Sequence, residues 1–215
     1  MPRFALLLAL LAVAGCNGEN SSAATKGSGV VKTESRPAEK FTAIELDVGR
    51  LTVEQTGTES LTVTADDNVL PLLTSEVKGG TLILSVVNGK SFSGMQPVFA
   101  VTVAALRSLE LNGSGGIQAS KLDEDSLSAS IAGSGSAKLA GRATELKLSI
   151  AGSGSIDAAQ FQAKRAKAEI SGSGSLTVNA SDDLDAGVSG SGTIWYIGSP
   201  KLISDVSGSG SIRRK

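Results

Sequence analysis

From residue 113 onward the tripeptide Gly-Ser-Gly returns at Gly113, Gly133, Gly152, Gly172, Gly190 and Gly208, in steps of 20, 19, 20, 18 and 18 residues. A period close to 20 predicts a solenoid, in which each repeat is one coil and cannot bury its apolar face alone. Aligning the repeats on their first glycine gives two apolar columns. Two residues before it stand Leu111, Ile131, Ile150, Ile170, Val188 and Val206. Four residues after it stand Ile117, Ala137, Ile156, Leu176, Ile194 and Ile212. Apolar residues alternate with polar ones at period two, which is the signal of a half-buried strand. The expectation is an all-β chain forming a parallel β-helix with coils of about 18–20 residues. Each fully buried Ile or Leu in these columns contributes roughly 1.5–3 kcal/mol.

If the alternation continues through the motif, both glycines of each Gly-Ser-Gly point inward and the serine points outward. Glycine then marks a pinch or corner, where a Cβ would clash or would not tolerate positive φ. The outward positions make adjoining columns of small hydroxylated residues: Ser134, Ser153, Ser173 and Ser191, and two positions on Ser136, Ser155, Ser175 and Thr193. With about 4.8 Å between coils, six coils give a flat strip roughly 25 Å long. The strip has two readings. Either small residues are tolerated at a tight bend, with hydroxyls bonding the next coil, or the strip is a binding surface for an extended partner. Trp195, the single tryptophan, falls in the outward column of Gln118, Lys138, Asp157, Thr177 and Arg213. It could stack on a sugar or a partner protein, or serve as an aromatic lid near the C-terminal end, with Tyr196 facing inward.

Residues 41–103 alternate like strands ("FTAIELDV", "RLTVEQ", "SLTVTA", "TLILSV", "VFAVTV"), with turn signals at 66–68 and 78–80. The period near 20 is less clear there. These strands are expected to start the solenoid and cover its N-terminal end. Gly27-Ser28-Gly29 is either linker or a degenerate first coil. The C-terminal coil ends in Arg213-Arg214-Lys215, charges that could guard an open edge, unless that edge pairs with another molecule.

The first residues, "MPRFALLLALLAVAGC", place Arg3 before eleven apolar residues, Phe4 to Ala14. That is the length of a signal-peptide core and too short for a permanent span, which needs about 20. Val13-Ala14-Gly15-Cys16 resembles a bacterial lipoprotein box. The expected organisation is a lipoprotein signal at 1–15, a tether at 16–26 lipidated on Cys16, and a β-helical domain at 27–215. Several acyl chains on Cys16 would anchor the chain stably in a membrane. Asn17, being other than Asp, points to the outer membrane.

Composition excludes several functions. With no histidine and one cysteine, the chain can form neither a Ser-His-Asp triad nor a His-Cys zinc site nor an internal disulfide. Twenty basic against 21 acidic residues leave no general attraction to nucleic acid. No cofactor motif and no calcium-binding nonapeptide is present. The acidic clusters Asp66-Asp67, Asp123-Glu124-Asp125 and Asp182-Asp183 with Asp185 are read as solvated turns. They are the sole candidates for paired-carboxylate glycan hydrolysis, and 3% aromatic content leaves few sugar platforms for it.

The opening "GSGVVKTESRPAEKFTAIELDVGRLTVEQTG" and the later "VTVAALRSLELNGSGGI", leading into the Gly-Ser-Gly coils, resemble the putative auto-transporter adhesin, head GIN domain family over roughly residues 27–215. The resemblance implies a β-helical fold and an envelope location, and it carries no catalytic residues. The expectation is a lipid-anchored, non-enzymatic envelope protein with an adhesive or surface-interaction role toward envelope glycan or a surface protein. A self-associating homo-oligomeric scaffold is the alternative, and a glycan-acting enzyme is a third.

Overall fold

The computed structural model describes residues 24–215. Its strands are β1 (Thr25–Lys26), β2 (Val31–Arg36), β3 (Ala43–Leu46), β4 (Arg50–Gln55), β5 (Ser60–Asp66), β6 (Leu73–Lys78), β7 (Thr81–Val86), β8 (Phe92–Ser93) and β9 (Val98–Val103). They continue with β10 (Ser108–Gly113), β11 (Gly116–Gly133), β12 (Ser136–Gly152), β13 (Ser155–Gly172), β14 (Ser175–Gly190), β15 (Thr193–Ile197), β16 (Lys201–Gly208) and β17 (Ser211–Arg214). This is the expected parallel β-solenoid. Each of β11 to β14 is one coil bent midway, so its first half lies on one wall and its second half on the other. One wall stacks β7, β3, β10, the second halves of β11 to β14, and β16. The other stacks β9, β4, the first halves of β11 to β14, β15 and β17.

The two apolar columns meet between these walls. Leu111, Ile131, Ile150, Ile170 and Val188 are buried, as are Ile117, Ala137, Ile156, Leu176 and Ile194. Phe99 and Phe161 are the largest fully buried side chains.

The N-terminal strands start and cap the solenoid, but not in chain order. The chain lays down β3 and β4, then turns back so that β7 and β9 form the rung beneath them, and β10 resumes above. This reversal explains why the period near 20 is less clear before residue 108. Antiparallel strands close the end: β6 on β7, β5 on β9, and β2 on β5. Arg36 laces the two outer edges together. Its guanidinium donates to Leu73 O at 2.8 Å and Leu70 O at 3.0 Å, and pairs with Glu34 at 2.6 Å. Gly27-Ser28-Gly29 is neither linker nor coil. It is the turn from β1, which pairs with β8, into β2.

The Gly-Ser-Gly corner is held by backbone. Ser153 N donates to Gly133 O at 2.9 Å and Ser155 N to Gly135 O at 2.9 Å, and the same pair of bonds recurs from coil to coil. The two glycines do different jobs, which corrects the expectation that both face inward. The second is interior: a Cβ on Gly154 would stand 2.8 Å from Ile131 Cγ2 of the coil below. The first is exposed or half-exposed, with φ between +98° and +129° along the column. A Cβ on Gly152 would strike Gly133 O at 2.5 Å, so its missing side chain faces along the stack rather than into the core. Either way coils could not approach to hydrogen-bonding distance around a larger residue.

Because the first glycines stay in register from Gly113 to Gly208, differences in coil length fall on the second corner, midway along each coil. Pairing slips there between Ala119 and Leu122, between Lys138 and Ala140, and between Asp157 and Gln162. Lys121 has φ 59°, and Gly141 lies so close to the neighbouring coil that a Cβ there would strike Leu122 O.

On the last rung all eight residues of β16 are exposed, including Leu202 (38%), Ile203 (64%) and Val206 (42%).

Gly172→Val should lower stability by at least about 2 kcal/mol through strain and overlap. Ser173→Val should stay within about 0.5 kcal/mol of the parent. Denaturant midpoints of the two variants measure this, and equal midpoints would refute the corner geometry.

Candidate functional site

Two outer surfaces run along the stack. The first is the serine strip at the glycine corner. Ser134, Ser136, Ser153, Ser155, Ser173, Ser175 and Ser191 are exposed, and Thr193 is half-buried. Among the described residues the single side-chain hydrogen bond within the strip joins Thr193 and Ser211 at 3.5 Å. The hydroxyls therefore do not stitch the coils, because backbone amides already do so. Trp195 continues the polar column beside Thr177. It is half-buried, with the Arg213 guanidinium 5.9 Å from its ring centre, a cation–π arrangement. Tyr196 packs against the core.

The second surface was not singled out from the sequence. At the irregular corner a cleft of about 720 Å³ spans the coils of β11 to β14. One wall is a column of planar polar side chains, Asp123, Arg142, Gln162 and Asn179, paired rung to rung. Ala143 and Ala163 follow them along the floor, with their methyls in the buried core. The opposite wall carries Asp125, Thr144, Lys164 and Ser181. Arg142 Nε donates to Asp123 Oδ1 at 2.9 Å and Nη2 to Oδ2. That fork holds the Asp123 carboxyl below its usual range and raises the Arg142 guanidinium. Glu124 Oε1 accepts from Leu106 N at 2.6 Å. Asn179 Nδ2 donates to Ala159 O at 3.3 Å. Among the described residues Gln162, Thr144, Lys164 and Asp125 make no side-chain hydrogen bond. Register slips cannot be read from composition; the unequal steps between Gly-Ser-Gly motifs hinted at this corner, and of its lining residues Asp123, Glu124 and Asp125 stand out in the sequence as an acidic cluster.

The acidic clusters divide. Asp66 is not a solvated turn residue but buried, at 3% exposure, beside Gly94 and beside Gly27, where a Cβ would strike its carboxylate. Asp67 Oδ1 accepts from Ser28 Oγ at 2.6 Å and Asn68 Oδ1 from Ser28 N at 3.0 Å. The cluster at 66–68 thus fastens the N-terminal arm to the domain. Among the described residues no three Asp, Glu, His or Cys groups are placed to hold a metal, and no helix is long and apolar enough to cross a membrane. Cys16 and the segment 1–23 lie outside the described residues.

The family model for the putative auto-transporter adhesin, head GIN domain matches residues 40–200. The chain belongs to that family. Its head GIN region holds the cleft and most of the serine strip, while β16, β17 and the N-terminal arm fall outside the match. A crystal structure of a putative adhesin from Bacteroides fragilis is similar at 26% identity and TM-score 0.73, covering 88% of this chain and 99% of that one. A putative lipid binding protein from Parabacteroides distasonis is similar at 25% identity and TM-score 0.60, covering 88% and 98%. A putative adhesin from Parabacteroides merdae, at 22% identity and TM-score 0.53 over 89% and 98%, shares the fold. No curated protein matches this head GIN chain.

One carboxylate gives a pH signature. Burial and the neighbouring Asp47 and Glu110 raise Glu45 above its usual range, against a lowering hydrogen bond from Asn112. The folded state therefore holds the Glu45 proton more tightly than the unfolded state, so this group favours folding as pH falls through the glutamate range. Glu45→Gln should remove that contribution. Urea midpoints of parent and variant between pH 7 and pH 4 should converge toward the acid end, and curves that stay parallel would refute the assignment.

Proposed function

We propose that this chain is an exported, non-enzymatic adhesion module, lipid-anchored through Cys16 in the outer membrane and displaying a rigid β-solenoid to an envelope or surface partner. The observation that carries this reading is a long, regular outer surface whose serine hydroxyls the fold does not consume. Membership of a family of putative adhesins supports it, and so does a sequence whose lack of histidine excludes a Ser-His-Asp triad and a His-Cys zinc site. The lipoprotein box at 13–16 and the polar tether after it supply the anchor. The serine strip, from Ser134 to Thr193 with Trp195 at its end, is one contact surface under this reading.

A second reading, a self-associating scaffold, draws on the exposed apolar residues of β16. Edge strands of this kind invite pairing. Light scattering of the full chain across a concentration series separates the two: a constant monomer mass favours adhesion, and a mass that rises with concentration favours the scaffold.

Cys16→Ala expressed in a diderm bacterium should lose incorporation of labelled palmitate and leave the membrane fraction. Retention of both label and membrane association would overturn the anchor.

A further inference from the structure

We propose that the cleft at the second corner is a binding site for an extended, uncharged β-linked polysaccharide lying along the solenoid axis. This rests on the adhesion reading above and names both its site and its ligand class.

The argument starts from the chemistry of the walls. Sugars present pairs of neighbouring hydroxyls, and planar side chains that carry two polar atoms match such pairs. The cleft stacks four of these, Asp123, Arg142, Gln162 and Asn179, one per coil. Arg142 and Asp123 orient each other through their fork, so their remaining polar edges are held in place before any ligand arrives, which lowers the ordering cost of binding. Across the floor, Thr144 and Lys164 offer donors and Asp125 an acceptor, and none is consumed by a hydrogen bond within the described part of the fold.

The dimensions agree. Coils repeat about every 4.8 Å along the axis, close to the advance per sugar in an extended β-1,4-linked chain. Successive sugars would then meet successive rungs. A cleft of about 720 Å³ falls within the usual range for ligand sites of roughly 300–1,000 Å³. The lining is more polar than most small-molecule pockets, as a hydrated polymer requires. Charge argues for a neutral chain. Arg142 and Lys164 stand against Asp123, Glu124 and Asp125, with Asp123 paired to Arg142 and Glu124 turned onto the Leu106 amide, so the lining carries a net charge of only one negative. A strongly anionic or cationic polymer finds no field to hold it.

The test uses the full chain in mild detergent, titrated calorimetrically with chitohexaose as an extended β-1,4-linked probe and maltohexaose as a coiled α-1,4-linked comparison. The expected result is binding of chitohexaose and at least tenfold weaker binding of maltohexaose. The Thr144→Ala/Gln162→Ala double variant, whose lost groups hold nothing in the fold, should weaken chitohexaose binding at least tenfold with an unchanged unfolding midpoint. Ser153→Ala/Ser173→Ala in the strip should leave binding unchanged. No binding of chitohexaose by the parent, or equal affinity in the Thr144/Gln162 variant, would overturn the proposal. Loss of binding in the strip variant alone would also overturn the cleft while leaving the adhesion reading standing.

Discussion

The structure depends on the backbone ladder at the glycine corner. Each coil turns there, and a turn ordinarily leaves amides and carbonyls to be satisfied by water or side chains. Here both glycine carbonyls of one coil accept from the amides of the next. That is possible because neither glycine carries a Cβ: the first would strike the glycine carbonyl below, the second both the interior glycine carbonyl and an Ile side chain of the coil below. Each corner hydrogen bond contributes only about 1 kcal/mol net, but the ladder fixes register. Register then places every apolar column from Leu111 to Val188 inside, since a slip by one residue would turn each of them out to water.

The surfaces follow from the same ladder. With the corner satisfied by main chain, the serine side chains are left over, and the strip is hydroxylated yet structurally idle. With register pinned at one corner, unequal coil lengths have to be absorbed at the other. The slips around Lys121, Gly141 and Gln162 open the cleft and give it mixed polar walls. One corner is uniform and the other variable, and chemistry specific to this chain accumulates where the sequence is free to vary. The two ends are also unequal. Arg36 and the antiparallel strands seal the first rung, whereas β16 exposes Leu202, Ile203 and Val206.

Much of this was legible in the sequence. The period of the Gly-Ser-Gly motif and the two apolar columns specify a parallel solenoid, because a strand's side-chain period is two and each column must stack on itself. The Trp195 column was legible too, residue for residue. Three features were not. The inversion that puts β7 and β9 beneath β3 and β4 has no local signal, since stacking order is a tertiary choice among similar alternating strands. The inequality of the two glycines depends on φ, which alternation does not encode. The burial of Asp66 arises from contact with Gly27 and Gly94, far off in the chain. The cleft was hidden for a related reason: its residues stand at different offsets from each glycine, so aligning on the motif scatters them.

The most direct test of the account is amide hydrogen exchange on the full chain, resolved at the Gly-Ser-Gly corners. If the backbone ladder governs the stack, the amides of Ser153, Ser155, Ser173 and Ser175 exchange as slowly as those of the buried strand residues Ile150 and Ile170, through global unfolding only. Exchange of these serine amides on the timescale of an open loop, with the strands still protected, would show the corners to be linkers and would contradict the account.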